Sequence, residues 1–211
     1  MNTDELIAAL SRNIEETRPR PTRGPMIAAL SVGLVIGGAL LATFMGVRPD
    51  IGTAVWPVLA KAGFSALFAA FAIPLVLRFA RPGQTGGALV RLLAGLTVAS
   101  LAIAAIVLMG ANPQERMHAW LGGGFPWCLL LIPLLAMPTA IGLILLVKSL
   151  APTRITMAGA AIGAASGGVG AMIYAMYCPV DSIAFVTTWY SLAIGLCAAI
   201  GALVASRFLR W

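Results

Sequence analysis

The sequence predicts an all-α fold: a polytopic membrane bundle of six transmembrane helices, preceded by a short amphipathic helix. Hydrophobic residues make up 60% of the 211 residues, charged residues only 10%, and the mean hydropathy is +0.97. A soluble domain typically carries about 25% charged residues, so lipid is the expected solvent for most of this chain. Repeated apolar runs of about 20 residues have the length that a helix needs to cross a bilayer.

A polar segment, residues 1–24, comes before the first apolar run, and we expect it to form a helix. Asn2 followed three residues later by Glu5 is typical of a capping box at a helix start. The apolar side chains that follow form one narrow stripe on such a helix: Leu6, Ile7, Leu10 and Ile14. Acidic residues occupy the remaining faces, and Pro19 ends the helix. This segment is predicted to be separate from a membrane domain of residues 25–211.

The apolar runs predict six transmembrane helices joined by short connections. Their expected ranges are 25–45, 55–77, 89–109, 125–147, 155–176 and 184–208. Two of these helices carry small residues at four-residue spacing: Gly33 and Gly37 in the first, and Gly159, Gly163 and Gly167 in the fifth. In lipid, helices associate through close backbone approach, so we interpret these glycines as packing surfaces.

Lysine and arginine are distributed unequally between the two sets of helix ends. One set has Arg48, Lys61 and Arg116. The other set has Arg12, Arg18, Arg20, Arg23, Arg78, Arg81, Arg91, Lys148, Arg154, Arg207 and Arg210. Because the basic side of a membrane protein faces the cytoplasm, both termini are expected there. The polar start contains acids and no cleavage site, so we expect no signal peptide.

The connection between the third and fourth predicted helices contains its own helix signal. Asn112, Pro113 and Glu115 are typical of an N-cap, a first-turn proline and an acid in the first turn. We expect a brief helix at the outer surface, with Trp120 at the membrane interface.

Motifs for catalysis or nucleotide binding are absent: the sequence has no phosphate-binding loop, nucleophile elbow or HExxH. We therefore expect a protein that is not an enzyme. The net charge of +7 does not indicate a nucleic-acid partner, because the basic residues flank apolar runs. Lys61, about two turns into the second helix, is the ionisable candidate inside the bundle. Its ammonium is expected to reach the outer surface or to pair with Asp50.

The cysteines indicate possible chemistry at the outer side. Cys128 and Cys178 are expected at similar depth, facing an oxidising compartment, whereas Cys197 is interpreted as a small buried apolar residue. Two thiols at one depth could form a disulfide, bind a soft metal ion transiently or be modified by an oxidant. They could equally never meet. His118, the single histidine, is a further candidate metal ligand, and we expect no obligatory cofactor.

Several short motifs, densest after residue 120, carry a resemblance to a known family. They are Trp127-Cys128-Leu129, Leu150-Ala151-Pro152-Thr153, Ala158-Gly159-Ala160, Tyr174-Ala175 followed by Cys178-Pro179, Phe185, Trp189-Tyr190, Arg210-Trp211, and Lys61 five residues after Trp56. In their order and spacing the sequence resembles the NrsF-like membrane anti-sigma factors of Gram-negative bacteria. The resemblance covers essentially the whole chain.

The resemblance implies an inner-membrane protein whose cytoplasmic N-terminal segment sequesters a sigma factor of the extracytoplasmic-function (ECF) class. It also implies that Cys128 and Cys178 sense heavy metal or oxidative stress. The amphipathic helix suits a helix-in-groove contact, with Leu6, Ile7, Leu10 and Ile14 as anchors and Glu5 facing a basic surface. The alternative is a helix that lies on the lipid surface, which its acidic residues disfavour on an anionic leaflet.

Two other function classes remain open on the sequence. The first is a small transporter or metal-handling membrane protein, which would need Lys61, His118 or the cysteines to line a path. The second is a membrane thiol oxidoreductase, which usually has a C-x-x-C motif that this chain lacks. We rank both below the anti-sigma factor.

Overall fold

The computed structural model describes residues 2–5, 22–81, 83–150 and 152–208, and the regular structure within these ranges is helical. Six of the helices are long and apolar enough to cross a membrane: α1 (Arg23–Met45), α2 (Val55–Phe79), α3 (Gly87–Gly110), α5 (Trp127–Lys148), α6 (Ile155–Tyr174) and α7 (Ile183–Phe208). A short helix, α4 (Pro113–Leu121), lies between α3 and α5. The protein is therefore a multi-pass membrane bundle, and the predicted number of spans is confirmed.

The connections between helices collect at two ends of the bundle. We call one the cysteine end; it comprises residues 46–54, 111–126 and 175–182, with Cys128 and Cys178 beside them. We call the other the arginine end; it comprises the start of α1, the α2–α3 and α5–α6 connections and the end of α7. Seven basic side chains at the arginine end are exposed: Arg23, Arg78, Arg81, Arg91, Lys148, Arg154 and Arg207.

Helix α6 forms the centre of the bundle because small residues line several of its faces. A Cβ atom at Gly163 would overlap the backbone of Cys197 in α7, and one at Gly168 would overlap Ala69 in α2. A Cβ atom at Gly170 would overlap the backbone of α5 at Ile132. Without side chains at these positions, three neighbouring helices approach α6 closely. The predicted packing role of the glycines in this span is confirmed.

Helices α1 and α3 lie at the periphery. Only 17% of the apolar window of α1 and 11% of that of α3 is buried within the protein, against 67% for α6. Helix α1 rests on α5, where Gly33 faces Thr139 and Gly37 faces the backbone of Leu135. The outward faces of α1 and α3 are apolar, as expected for surfaces in contact with lipid tails.

Two π-helical turns lie at the cysteine end. One closes α1 at Leu41–Met45, with a hydrogen bond from the N–H of Gly46 to the carbonyl of Leu41 at 2.8 Å. The other, Val186–Tyr190, lies in the first part of α7. Single π-helical turns are rare and occur frequently at functional sites. Their position directs attention to the cysteine end.

The predicted N-terminal helix falls mostly outside the described residues. Residues 3–5 are helical, and the backbone N–H of Asn2 donates to Oε2 of Glu5 at 3.3 Å, which is one half of a capping box. The apolar stripe of Leu6, Ile7, Leu10 and Ile14 lies outside the described residues. The helix start is thus confirmed, and the amphipathic stripe stays a prediction.

Candidate functional site

Cys128 and Cys178 lie in the same buried cluster at the cysteine end. Cys128 is the second residue of α5, and Cys178 lies in the connection between α6 and α7. Both side chains have an exposed fraction of 0%, and they share a hydrophobic cluster with Ile132 and Phe185. Both are free thiols, as is Cys197. The helix packing thus brings to one region two cysteines that are 50 positions apart in the sequence.

Aromatic rings surround this region of the cluster. The rings of Tyr174 and Tyr190 lie 5.9 Å apart, and Tyr174 also packs against Tyr177 at 5.8 Å. The hydroxyl of Tyr190 is buried and has no hydrogen-bond partner among the described residues. The thiol of Cys178 lies 3.9 Å from the carbonyl oxygen of Val180, a long contact for a weak donor. The thiols therefore sit in an apolar, aromatic environment shielded from water.

Arg48 is buried beside Cys178 and makes a complete set of hydrogen bonds. Its Nε and Nη2 donate to the two carboxylate oxygens of Asp50 at 2.8 and 2.7 Å. Its Nη1 and Nη2 donate to the two carboxylate oxygens of Asp181 at 2.9 and 3.2 Å. Its Nη1 also donates to the carbonyl of Cys178 at 3.3 Å. Bidentate pairs of this kind are the strong form of the arginine–carboxylate contact.

Lys61 is the second buried cation, with a side chain only 3% exposed. Its ammonium donates to the carbonyl of Cys178 at 2.7 Å, to the carbonyl of Val180 at 3.2 Å and to Oδ1 of Asp181 at 2.8 Å. An ammonium has three donors, so all of them are used. The sequence-based expectation placed Lys61 at the outer surface or with Asp50. The lysine does reach the cysteine end, but the carboxylate that it contacts is that of Asp181.

We call Arg48, Lys61, Asp50 and Asp181 the charge clamp. The charges of its two cations and two carboxylates cancel. The remaining N–H groups of the cations donate to backbone carbonyls of the α6–α7 connection. Leaving either buried cation without its partner would be costly, because charge is poorly tolerated away from water. The clamp thereby fixes the α6–α7 connection against α2 and against the end of α1.

The electrostatics of the clamp favour the charged form of each group outside the spans. Hydrogen bonds from Arg48 lower the pKa of Asp50 to about 2. The same arginine, followed by Lys61, lowers the pKa of Asp181. The pKa of Arg48 is raised above its usual range, chiefly by the hydrogen bonds to Asp50 and Asp181. Arg48, Asp50 and Asp181 are therefore ionised at neutral pH.

Helix α4 covers the cysteine end as predicted. Asn112 is its N-cap residue, Pro113 is its first residue and Glu115 lies in its first turn. Ser182 donates to the carbonyl of Ala119 at 2.7 Å, and Nε1 of Trp189 donates to the carbonyl of Trp120 at 2.8 Å. These two bonds join α4 to the segment that follows Cys178.

The other candidate ligand, His118, is exposed on α4. Among the described residues, no group of three or more His, Cys, Asp or Glu side chains is arranged to hold a metal ion. A site in which Cys128 and Cys178 alone bind a soft metal ion stays a prediction. Glu5, the described member of the predicted partner-binding set, is exposed.

Arg48 and Asp181 are the residues of this site that sequence reasoning missed. From the sequence alone, Arg48 is only a charge that sets topology, and Asp181 has no assigned role. The numbers of acidic and basic residues on each predicted side of the membrane could have indicated these ion pairs. The predicted outer side has three bases and three acids, Asp50, Glu115 and Asp181, so every base there can find a partner. The predicted inner side has a large excess of bases.

Comparison with known proteins gives one consistent result. A family model described as negative regulator of sigma F matches residues 10–211. The probable anti-sigma-F factor NrsF of Azospira oryzae is 33% identical over 217 residues, covering 100% of both chains. The anti-sigma-F factor NrsF of Caulobacter vibrioides is 32% identical over 217 residues, again covering 100% of both. No solved structure matches this chain.

Proposed function

We propose that this chain, which belongs to the family of negative regulators of sigma F, is a membrane-bound anti-sigma factor. The observation that carries the proposal is the match over the whole length to two proteins named as anti-sigma-F factors. The partner is a sigma factor of the ECF class, held at a bacterial inner membrane and thereby kept from RNA polymerase. The proposed role is regulatory, with no catalytic step.

The partner-binding element in this proposal is the N-terminal segment, residues 1–24. Leu6, Ile7, Leu10 and Ile14 supply the apolar anchors of a helix-in-groove contact, and Glu5 faces a basic surface on the sigma factor. The helical start at residues 3–5 and the bond from Asn2 to Glu5 support a helix here. The orientation that this requires, with both termini in the cytoplasm, is supported by the seven exposed basic side chains at the arginine end.

The signal-receiving element in this proposal is the thiol pair, Cys128 and Cys178, which faces the periplasm. A two-electron oxidant would join the two sulfur atoms, taking two electrons while two protons leave. A soft metal ion would instead displace the two thiol protons and bind both sulfurs. Either event changes the position of Cys178, because both thiols are buried and packed. The assignment is supported by the place of both thiols at the cysteine end of the buried cluster, whereas Cys197, a member of the same cluster, lies within α7.

Co-purification tests the partner assignment. A tagged full-length chain is compared with a chain lacking residues 1–20, both expressed with the candidate sigma factor. We expect the sigma factor to be retained by the full chain and lost with the truncation. Leu10→Asp should also lose it, because a charge would enter the apolar stripe. Ala8→Asp, on the opposite side of the predicted helix, is the matched control and should retain it. Retention by the truncated chain would overturn the assignment.

Sensing is tested separately with Cys178→Ser and Cys197→Ser in the full chain. Under metal or oxidant stress, the first variant should keep its sigma factor bound, and the second should release it as the parent chain does. Normal release by Cys178→Ser would remove this cysteine from the mechanism while leaving the anti-sigma role intact.

A further inference from the structure

We propose that Arg48 and Lys61 are positioning residues of the thiol site, which together hold the backbone of Cys178 and latch its segment to the outer end of α1. This inference rests on the proposed sensor role of Cys178. Neither the composition of the chain nor its membrane topology explains why two cations are buried at these positions, and the inference gives them a role.

The first support is that two cations bind the same carbonyl. The oxygen of Cys178 accepts from Lys61 Nζ at 2.7 Å and from Arg48 Nη1 at 3.3 Å. The next acceptor along the segment, the carbonyl of Val180, is also taken by Lys61 at 3.2 Å. Bonds from charged donors are roughly twice as strong as neutral ones. The residue that carries the proposed sensing thiol is thus the residue whose backbone the clamp holds most directly.

The second support is that the clamp has no spare donor. Lys61 uses its three N–H groups on Cys178, Val180 and Asp181. Arg48 makes five hydrogen bonds to Asp50, Asp181 and Cys178. Movement of Cys178 away from its position therefore leaves a buried charge with an unsatisfied donor. A clamp of this kind favours two discrete positions, held or released, over gradual displacement.

The third support is that the clamp reaches α1, which is otherwise loosely packed. Arg48 lies three residues after the π-helical turn Leu41–Met45, and its backbone N–H donates to the carbonyl of Met176 at 3.1 Å. Gly46, with a φ of 78°, makes the turn out of the helix. Only 17% of the apolar window of α1 is buried, and its outer end is held in the core by Leu41, so the clamp is a second attachment of that end. The inner end of α1 continues into the N-terminal segment.

These contacts connect Cys178 to the outer end of α1, and the other end of α1 follows the proposed partner-binding segment in the sequence. Displacement of Cys178 together with Asp181, which lies three residues further along the same connection, breaks three of the five hydrogen bonds of Arg48 and loosens the outer end of α1. Helix α1 can then shift along α5, against which it packs through small residues such as Gly33. The clamp has two states, held and released. Both the thiol site and the N-terminal segment would shift the equilibrium between them.

Thiol alkylation in membranes carrying the full chain tests the positioning role. Membranes are treated with N-ethylmaleimide, and the modification rates of Cys178 and Cys197 are measured by peptide mass spectrometry. Lys61→Met keeps the length of the side chain and removes its charge and donors. It should raise the rate at Cys178 by about tenfold, because the thiol becomes exposed more often. Lys61→Arg, which keeps a cation, should restore a rate near that of the parent chain.

Arg116→Gln is the matched control, since Arg116 is an exposed cation at the same end whose side chain, within the described residues, donates to the carbonyl of Ala111 and to no carboxylate. Its rates should equal those of the parent chain. Cys197, buried between α6 and α7, is an internal reference and should stay unreactive in every variant. An unchanged rate at Cys178 in Lys61→Met, or equal increases at Cys178 and Cys197, would overturn the positioning role. If Lys61→Met does not accumulate, Arg48→Lys is measured by the same criteria.

The latch to α1 is tested by sigma-factor retention in unstressed cells. Arg48→Gln should retain at least about fivefold less partner than Arg116→Gln, since Arg48 is the cation that ties the segment of Cys178 and Asp181 to the outer end of α1. Equal retention by the two variants would overturn the latch. A different result would contradict the proposed function: the chain lacking residues 1–20 would retain the partner. The alkylation rates do not depend on the partner, so they would still test the role of the clamp.

Discussion

The cysteine end and the arginine end of this bundle use charge in opposite ways. At the cysteine end, Arg48 and Lys61 are buried and paired, and the three ion pairs found among the described residues all lie there. At the arginine end the basic side chains are exposed, and a bond from Arg81 to Thr22 at 3.3 Å is the cross-connection there. The first pattern fixes loops in place, whereas the second sets orientation in a membrane.

The number of charged residues at one end of the bundle does not determine how much they contribute to stability. The arginine end has more basic residues, yet their individual contacts contribute little, because exposed charges are screened. The cysteine end has few, and two of them, Arg48 and Lys61, are each tied to a defined set of acceptors. Substitutions that remove a charge of the clamp should therefore have large effects, and those that remove an exposed charge at either end small ones.

The largest effect is expected for Asp181→Asn. This change leaves Lys61 and Arg48, both 3% exposed, without the carboxylate that they share. Because Asp181 itself is 34% exposed, solvent screens part of the interaction, and we expect a cost of about 2–3 kcal/mol. The measurement is thermal unfolding of the purified protein in detergent. Glu115→Gln, at an exposed acid of the same end, is the control and should change stability by less than about 0.5 kcal/mol. Equal stability of the two variants would show that the clamp contributes little.

A smaller effect is expected for Gly159→Ala, near the arginine end. The added Cβ would overlap the backbone of Gly201, and overpacking of this kind costs about 1–3 kcal/mol. Gly195→Ala, in α7, is the control because a Cβ atom there meets open space. It should be neutral or slightly stabilising, since alanine favours a helix. Destabilisation by both would contradict the close contact between α6 and α7.

Ser182→Ala should cost about 1 kcal/mol, the usual contribution of one hydrogen bond. Its hydroxyl donates to the carbonyl of Ala119 at 2.7 Å, which joins α4 to the α6–α7 connection. Hydrogen exchange of the α4 amides, which measures local opening, should rise, while exchange in α6 stays unchanged. Ser206→Ala, whose hydroxyl bonds within its own helix at the arginine end, is the control. Unchanged exchange in α4 would show that this bond does not hold the helix.

The smallest effect is expected from pH in the neutral range. The pKa of Asp50 is lowered to about 2, and that of Asp181 is also lowered, so both carboxylates stay ionised far below neutrality. Their stabilising contribution is complete above the unfolded value of about 4 and is lost as the pH falls towards the folded value. Thermal stability should be flat between about pH 5 and 8 and fall below about pH 4. A transition near pH 6 would contradict this account.

Hydropathy was sufficient to predict most of the fold. The six spans were predicted close to their observed ends; the fourth, for example, was expected at 125–147 and is found at Trp127–Lys148. Local signals also predicted α4 from Asn112, Pro113 and Glu115. The reason is that bilayer thickness and helix caps act through residues that are neighbours in the sequence.

The clamp could not be predicted in the same way, because its partners are far apart in the chain. Lys61 and Asp181 are separated by 120 positions, and Arg48 and Asp181 by 133. Asp50 was the nearer acid and was named as the candidate partner of Lys61. In the structure Asp50 pairs with Arg48 instead. The two residues are only two positions apart, which lets the guanidinium bind the carboxylate of Asp50 in a bidentate contact. Only the packing of α6 brings Asp181 within reach.

The wide separation of Asp181 from its cations has a consequence for biosynthesis. Ribosomes make the chain from its N-terminus, so α1 and α2 emerge while the residues after α6 have not yet been translated. During that interval Asp50 is the acid beside Arg48, and the ammonium of Lys61 lacks the counter-ion that the finished fold provides. Membrane insertion of the first helix pair, α1 and α2, therefore precedes neutralisation of Lys61, and arrival of the final helix completes the assembly.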